Sequence, residues 1–165
     1  MTERVDPITI SHLDLTRYLG RWFEIARLPM RHEPANATDI TATYSLDEQG
    51  AIRVQNRMRL DGEVEESIGQ ARPVDESNSK LEVTFLPAGL RWIPFTKGDY
   101  WVLKLDDAYS VSLVGSPDRK YLWLLAREPR IDSATRLEYL ATAQAQGYEL
   151  DELIDTPQSG SKSPA

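Results

Sequence analysis

The sequence predicts an all-β fold: an eight-stranded antiparallel up-and-down barrel with one C-terminal α-helix packed outside it. Three observations lead there. Between residues 20 and 127, short apolar–polar alternations of period two succeed one another, separated by turn-forming residues. Toward the end of that stretch the runs become apolar on both faces, so something must cover their outer side. A single segment, 132–146, then repeats its apolar residues at helical spacing and supplies that cover. A sheet of about eight strands exposes two unpaired edges unless it closes on itself, and closure removes them.

The elements follow in order. Residues 1–17 form an N-terminal arm whose apolar contacts are Ile8, Ile10, Leu13 and Leu15. Ile40, Ala42, Tyr44 and Leu46 alternate with Thr41, Thr43 and Ser45 before the Asp47-Glu48-Gln49-Gly50 turn. Ile52, Val54, Met58 and Leu60 alternate with Arg53, Gln55, Arg57 and Arg59, and Asp61-Gly62 then signals a tight hairpin. The next strand carries Ser67, Gly69 and Ala71 on one face, and Leu81, Val83 and Phe85 follow at the same spacing. One polar face per strand marks an antiparallel sheet that meets water on one side. Tyr100 to Leu103 and Tyr121 to Ala126 are the runs apolar on both faces. In the helix, Ala134, Leu137, Leu140, Ala141, Ala145 and Tyr148 make the expected buried stripe, with Asp132 or Ser133 as N-cap and Gly147 as C-cap. A short extended piece near Leu150 to Ile154 completes one domain over 1–157, and 158–165 read as a disordered tail.

Composition narrows the function. The chain has 165 residues, 26 acidic against 19 basic, and net charge −7, so nucleic acid is not an expected partner. No apolar run approaches the ~20 residues of a membrane-spanning helix. There is no cysteine, hence no disulfide, thiolate metal site or thioether lipid anchor. His12 and His32 stand apart without metal-ligand spacing, so no metal and no cofactor is expected. Catalytic motifs such as G-x-S-x-G and phosphate-binding glycine loops are absent. Glu63-Val64-Glu65-Glu66 reads as a solvated strand edge, and Asn36-Ala37-Thr38 is a glycosylation sequon in form only. Met1 to Pro7 hold no apolar signal core, so the chain as written reads as cytoplasmic; a targeting segment ahead of it would make it periplasmic or outer-membrane.

Gly20-Arg21-Trp22 opens the first strand, and about a hundred residues later come Pro117-Asp118-Arg119-Lys120-Tyr121-Leu122-Trp123 and the strand-final Arg127. From about residue 8 to 155 the chain resembles the lipocalin family, in particular the bacterial outer-membrane-lipoprotein type and its animal relative apolipoprotein D. The resemblance implies a structural closed end at Gly20, Trp22 and Arg127, with Arg127 lying across the Trp22 ring as a cation–π pair. It departs from those lipoproteins in lacking their lipidated cysteine.

With Trp22 inward, alternation nominates a ligand pocket of Glu24, Tyr44, Asn56, Met58, Val83, Phe85, Tyr100, Val102, Tyr121 and Trp123, with Ala26 on the same side. Small residues, Ser67, Gly69, Ala71, Ser110 and Ser112, leave volume between them. Such a pocket suits one elongated apolar molecule, a fatty acid or lysophospholipid. Loops near 29–37, 61–64, 87–98 and 116–120 then surround the open mouth. Their cations Arg31, His32, Arg91, Lys97, Arg119 and Lys120 are candidates for a head group. Segment 87–98 carries Leu90, Trp92, Ile93 and Phe95 and is expected to be a lid, a peripheral membrane contact or a homodimer contact, or to fold back on its own barrel. Two rival classes stay open: an isomerase-like enzyme using Glu24, the only inward carboxylate, and an interaction module without a cavity.

Overall fold

A computed structural model describes residues 5–29, 35–85 and 97–159. The chain order is α1 (Leu15–Tyr18), β1 (Gly20–Arg27), β2 (Thr38–Leu46), β3 (Ile52–Leu60), β4 (Glu63–Pro73), β5 (Lys80–Phe85), β6 (Lys97–Leu105), β7 (Val111–Gly115), β8 (Leu122–Ala126), α2 (Ser133–Ala145) and β9 (Ile154–Asp155). Strands β1 to β8 pair antiparallel with their sequence neighbours, and β8 returns to β1, which closes the expected eight-stranded barrel. The ninth, short strand pairs with β1.

Local chemistry places the turns. Asp61 and Gly62 both adopt left-handed backbone (φ 52 and 85), the paired positive φ that a two-residue hairpin of the right twist requires. Their turn joins β3 to β4 in an unbroken register from Leu60↔Glu63 to Ile52↔Ala71. At the opposite end Asp47 closes the β2–β3 turn by accepting from the Gln49 and Ala51 amides at 2.8 and 2.9 Å.

Cross-strand partners share a face, so the register sorts the core into two layers. Inside the barrel, Trp22, Ala42, Tyr44, Ile52, Val54, Ala71, Val83, Val102, Val114 and Leu125 form one buried cluster. Outside it, Leu103, Val111, Leu113, Leu122, Leu124 and Ala126 form a second cluster beneath α2, which explains why the last strands are apolar on both faces.

The helix lies where expected, with Asp132 as N-cap accepting from the Thr135 amide at 2.7 Å. Its buried stripe differs from the expected one. Tyr139, Ala143 and, just beyond the helix, Tyr148 are buried, whereas Leu137 is 68% exposed and Ala134, Ala141 and Ala145 face solvent. Apolar residues sit almost all round this helix, so periodicity did not select a face. The broad Tyr139 ring did, packed against the barrel with the Lys104 ammonium 5.2 Å above it.

The N-terminal arm also differs: its end is one helical turn, α1, capped by the Asp14 carboxylate, which accepts from the Thr16 and Arg17 amides. The C-terminal boundary moves as well. Gln158, expected to begin a disordered tail, is buried, and its amide donates to the Glu24 and Ile40 carbonyls at 2.9 Å each. On this packing Tyr139→Ala is expected to cost about 3 kcal/mol or more in denaturant unfolding, the range for truncating a buried aromatic. Leu137→Ala is expected to cost less than about 0.5 kcal/mol.

Candidate ligand-binding site

The site is best built from its sealed end. Trp22 is fully buried, its indole N–H donates to the Tyr18 carbonyl at 2.9 Å, and the Arg127 guanidinium lies 3.9 Å over its ring. The same guanidinium donates to three backbone carbonyls: Nη2 to Arg17 at 2.8 Å, Nη1 to Arg21 at 3.1 Å and Nε to Tyr109 at 3.1 Å. One planar cation thereby ties α1, β1 and the β6–β7 turn together. Gly20 makes room for it. Its φ is +105, and a Cβ there would stand 3.1 Å from Arg127 Nη1.

Above this seal the barrel is filled. Tyr18, supplied by α1, reaches between Tyr44 and Tyr100, and the three rings pack with centroids 5.7 to 6.4 Å apart. Their hydroxyls form a chain: Tyr44 donates to Tyr100, Tyr100 and Tyr18 share a bond, and Tyr18 bonds Ser112, each at 2.8 Å. Burial pushes the Tyr18 phenol up to about 12 and raises Tyr44 and Tyr100 as well, so all three stay neutral at ordinary pH. The space left among Leu15, Leu19, Ile52, Leu81 and Val83 is about 10 Å³, room for one water at most. The lower barrel is ordinary core.

The upper barrel is not filled in this way. Asn56 and Trp123 occupy inward register positions yet are only half-buried. At an inward position of a closed wall, exposure is exposure to the lumen. Tyr121 stacks on Trp123 with centroids 6.2 Å apart and continues this surface toward the mouth. On the neighbouring strands, β4 and β6 place the small residues Ser67, Gly69 and Gly98 at inward register positions. Ser67 Oγ is buried and finds no hydrogen-bond partner among the described residues.

Between Glu24 and Ala26, β1 carries a register shift against β8. Ala26, expected inside, turns outward into the cluster under α2, and Arg27 turns inward. Fully buried Arg27 pairs with Glu24 through Nη1 and Oε2 at 2.9 Å. The C-terminal segment completes the polar group: Thr156 Oγ1 accepts from Arg27 at 3.1 Å and donates to Glu24 at 2.5 Å. Here β1 no longer pairs with β2. Instead the Thr156 amide bonds the Ile25 carbonyl and the Asp39 amide bonds the Pro157 carbonyl, so residues 156–158 fill the gap between the two strands.

The other expected site residues divide clearly. Val83 and Val102 belong to the packed interior with Tyr44, and Met58 joins a separate cluster with Ala37 and Ile40 near the mouth. Glu24 is inward as expected but is held by Arg27 and Thr156. Ser110 lies in the β6–β7 turn, held by Asp106, and lines no wall. Arg119 is a correction: its Nε donates to the Gln146 carbonyl at 2.6 Å and its Nη2 to the Val5 carbonyl at 2.5 Å. It caps the C-terminus of α2 on the outside of the barrel, where helix-end carbonyls lack partners of their own. Lys120 is exposed at the rim. Arg31, His32, Arg91, Leu90, Trp92, Ile93 and Phe95, and the side chains of Phe85 and Lys97, lie outside the described residues. Among the described residues no cluster of metal-ligating side chains occurs and no helix is long and apolar enough to cross a membrane.

A closed eight-stranded antiparallel barrel, sealed at one end and flanked by one helix, defines the calyx class of folds. The comparisons make the family definite: a model described as a lipocalin-like domain matches residues 13–158, and the chain belongs to the lipocalins. Temperature-induced lipocalin-1 of Arabidopsis thaliana is 40% identical over 163 residues, covering 96% of this chain and 87% of that one. Outer membrane lipoprotein Blc of Citrobacter freundii is 39% identical over 154 residues, covering 92% and 82%. Among solved structures, insecticyanin from the tobacco hornworm Manduca sexta aligns with TM-score 0.75 at 21% identity, covering 96% of this chain and 88% of that chain, a likeness of fold alone. Lipocalins generally bind small hydrophobic ligands.

The buried Glu24–Arg27 pair yields a stability test. Glu24→Leu leaves Arg27 buried without its carboxylate and is expected to cost about 3–5 kcal/mol, whereas Glu24→Leu with Arg27→Met should recover much of that loss. Urea denaturation of both variants checks it. Equal loss in the two would mean that packing, not charge pairing, holds this part of the barrel.

Proposed function

We propose that the protein carries or stores one elongated hydrophobic molecule, a fatty acid or lysophospholipid, with its chain in the upper lumen. The observation that supports this most is the partial exposure of Asn56 and Trp123 at inward positions of a closed wall. The lumen is bounded below by the tyrosine layer, mostly apolar, and given a few polar groups by Asn56 and Ser67. That is the make-up a chain with one polar end requires. A head group would stay at the rim, near exposed Lys120; Arg119 is engaged with the end of α2 and takes no part. In the sequence, segment 87–98 carries Leu90, Trp92, Ile93 and Phe95, residue types suited to touching lipid while cargo is exchanged.

Binding without catalysis is the favoured reading, since Glu24, the only inward carboxylate nominated for proton transfer, is engaged by Arg27 and Thr156. As for compartment, relatives that are outer membrane lipoproteins support a periplasmic or outer-membrane setting, for which the fold is equally suited.

The test is titration with a fluorescent fatty acid analogue. The wild-type chain should bind it saturably, and Asn56→Trp, which fills the lumen, should weaken binding at least about tenfold while the melting temperature stays close to wild type. Unchanged affinity in Asn56→Trp, with the fold intact, would place the ligand elsewhere and remove this reading.

A further inference from the structure

The outer faces of β1, β2 and β3 enclose a second concavity, a groove of about 380 Å³ on the wall of the barrel. Register brings its residues together. Arg21 lies across from Thr43, Thr43 across from Gln55, and Thr41 across from Arg57, with Arg59 two residues further along β3. Three guanidinium groups therefore face one groove, on a chain whose net charge is −7.

An exposed strand face needs polar residues, but it does not need cations without acids between them. Cross-strand neighbours are more stable with opposite charges than with like ones. The outward positions of β3 are Arg53, Gln55, Arg57 and Arg59, with no carboxylate among them. Of the described residues lining the groove, Asp39 is the only acid, and it is already engaged. Asp39 accepts from the Ser159 amide and hydroxyl at 2.6 and 2.7 Å and sits 3.6 Å from Arg59. Glu66, opposite Arg57 in the register, instead accepts from the Gln55 side chain at 2.5 Å. Among the described residues Arg57 has no ion pair or hydrogen bond, and the Thr41 and Thr43 hydroxyls have no protein partner. Arg21 lies 4.7 Å over the Phe23 ring, which fixes its plane and leaves its N–H edge available.

A concave surface with planar N–H forks, two hydroxyls and a surplus of positive charge matches a tetrahedral oxyanion. We propose that this groove is a binding site for a phosphate group, carried either by a small soluble molecule or by a lipid head group. Its arginines and threonines lie on the opposite face of the β1–β3 wall from the inward residues, with Met58 and Val64 at its margin, so the proposal does not depend on what the lumen holds.

The test uses the full chain and two probes. Inorganic phosphate is followed through the side-chain Nε–H signals of the arginines, and vesicles of phosphatidylcholine with phosphatidylglycerol are compared with phosphatidylcholine alone. Saturable shifts of Arg57 and Arg59 in free phosphate identify a soluble ligand; saturable binding confined to the phosphatidylglycerol vesicles identifies a head group. In either case Arg57→Gln should weaken binding about tenfold. Arg53→Gln, on the same strand face but outside the groove, should change it less than about twofold. Fatty acid binding measured in parallel should be the same in Arg57→Gln and wild type, which keeps this site distinguishable from the calyx. No saturable response to either probe overturns the proposal. So does an equal loss in Arg53→Gln, because diffuse surface charge would then account for everything.

Discussion

The register shift in β1 between Glu24 and Ala26 is the constraint on which the upper half of this barrel depends. Below it, β1 is an ordinary wall strand paired with β2 and β8, and Trp22 and Glu24 point inward. Above it the faces exchange: Ala26 joins the helix-covered layer and Arg27 enters the interior. An arginine inside a barrel needs a partner within reach, and Glu24, three residues earlier, supplies it. The bend also takes β1 away from β2, and the chain's own C-terminal segment occupies the gap. Thr156 completes the ion pair, and Gln158 satisfies the Glu24 and Ile40 carbonyls that the separation would leave without partners.

The barrel thus divides along its length by how polar groups are satisfied. At the closed end one cation serves three carbonyls and an indole face, and three tyrosine hydroxyls bond one another and Ser112. The tyrosine layer there is packed and neutral, and little space remains. In the upper half, β4 and β6 carry serine and glycine at inward positions, and the stacked rings of Tyr121 and Trp123 line β8. On the proposed function, a packed floor would let a ligand enter above it without disturbing the core that holds the strands together.

Much of this was legible in the residues. Period-two alternation ordered the strands, Asp61-Gly62 marked a hairpin, and runs such as Leu122-Trp123-Leu124-Leu125 announced a covered outer face. The Gly20-Arg21-Trp22 signature with Arg127 located the sealed end. What escaped was set by geometry rather than composition. A one-residue shift inverts every side chain beyond it, so strict alternation put Ala26 inside and Arg27 outside. Arg119 reads as a loop cation until the C-terminus of α2 arrives beside it. Leu137 and Tyr139 are both large and apolar, and only the packed surface shows which one faces the barrel. Gln158 sits in a polar, serine-rich tail, yet backbone carbonyls 118 and 134 residues distant hold it in place.

The central claim, a ligand held above the tyrosine floor and not below it, is tested most directly by depth-resolved quenching. Two variants keep a single tryptophan each, Trp123 or Trp22, with phenylalanine at the other three positions. Each is titrated with a fatty acid brominated on its chain. Trp123 lines the lumen, so its emission should fall saturably. Trp22 is fully buried in the seal against Tyr18 and Arg127, so its emission should stay nearly constant over the same range. Quenching of Trp22 equal to that of Trp123, or no quenching of Trp123 while the chain still binds, would contradict the account.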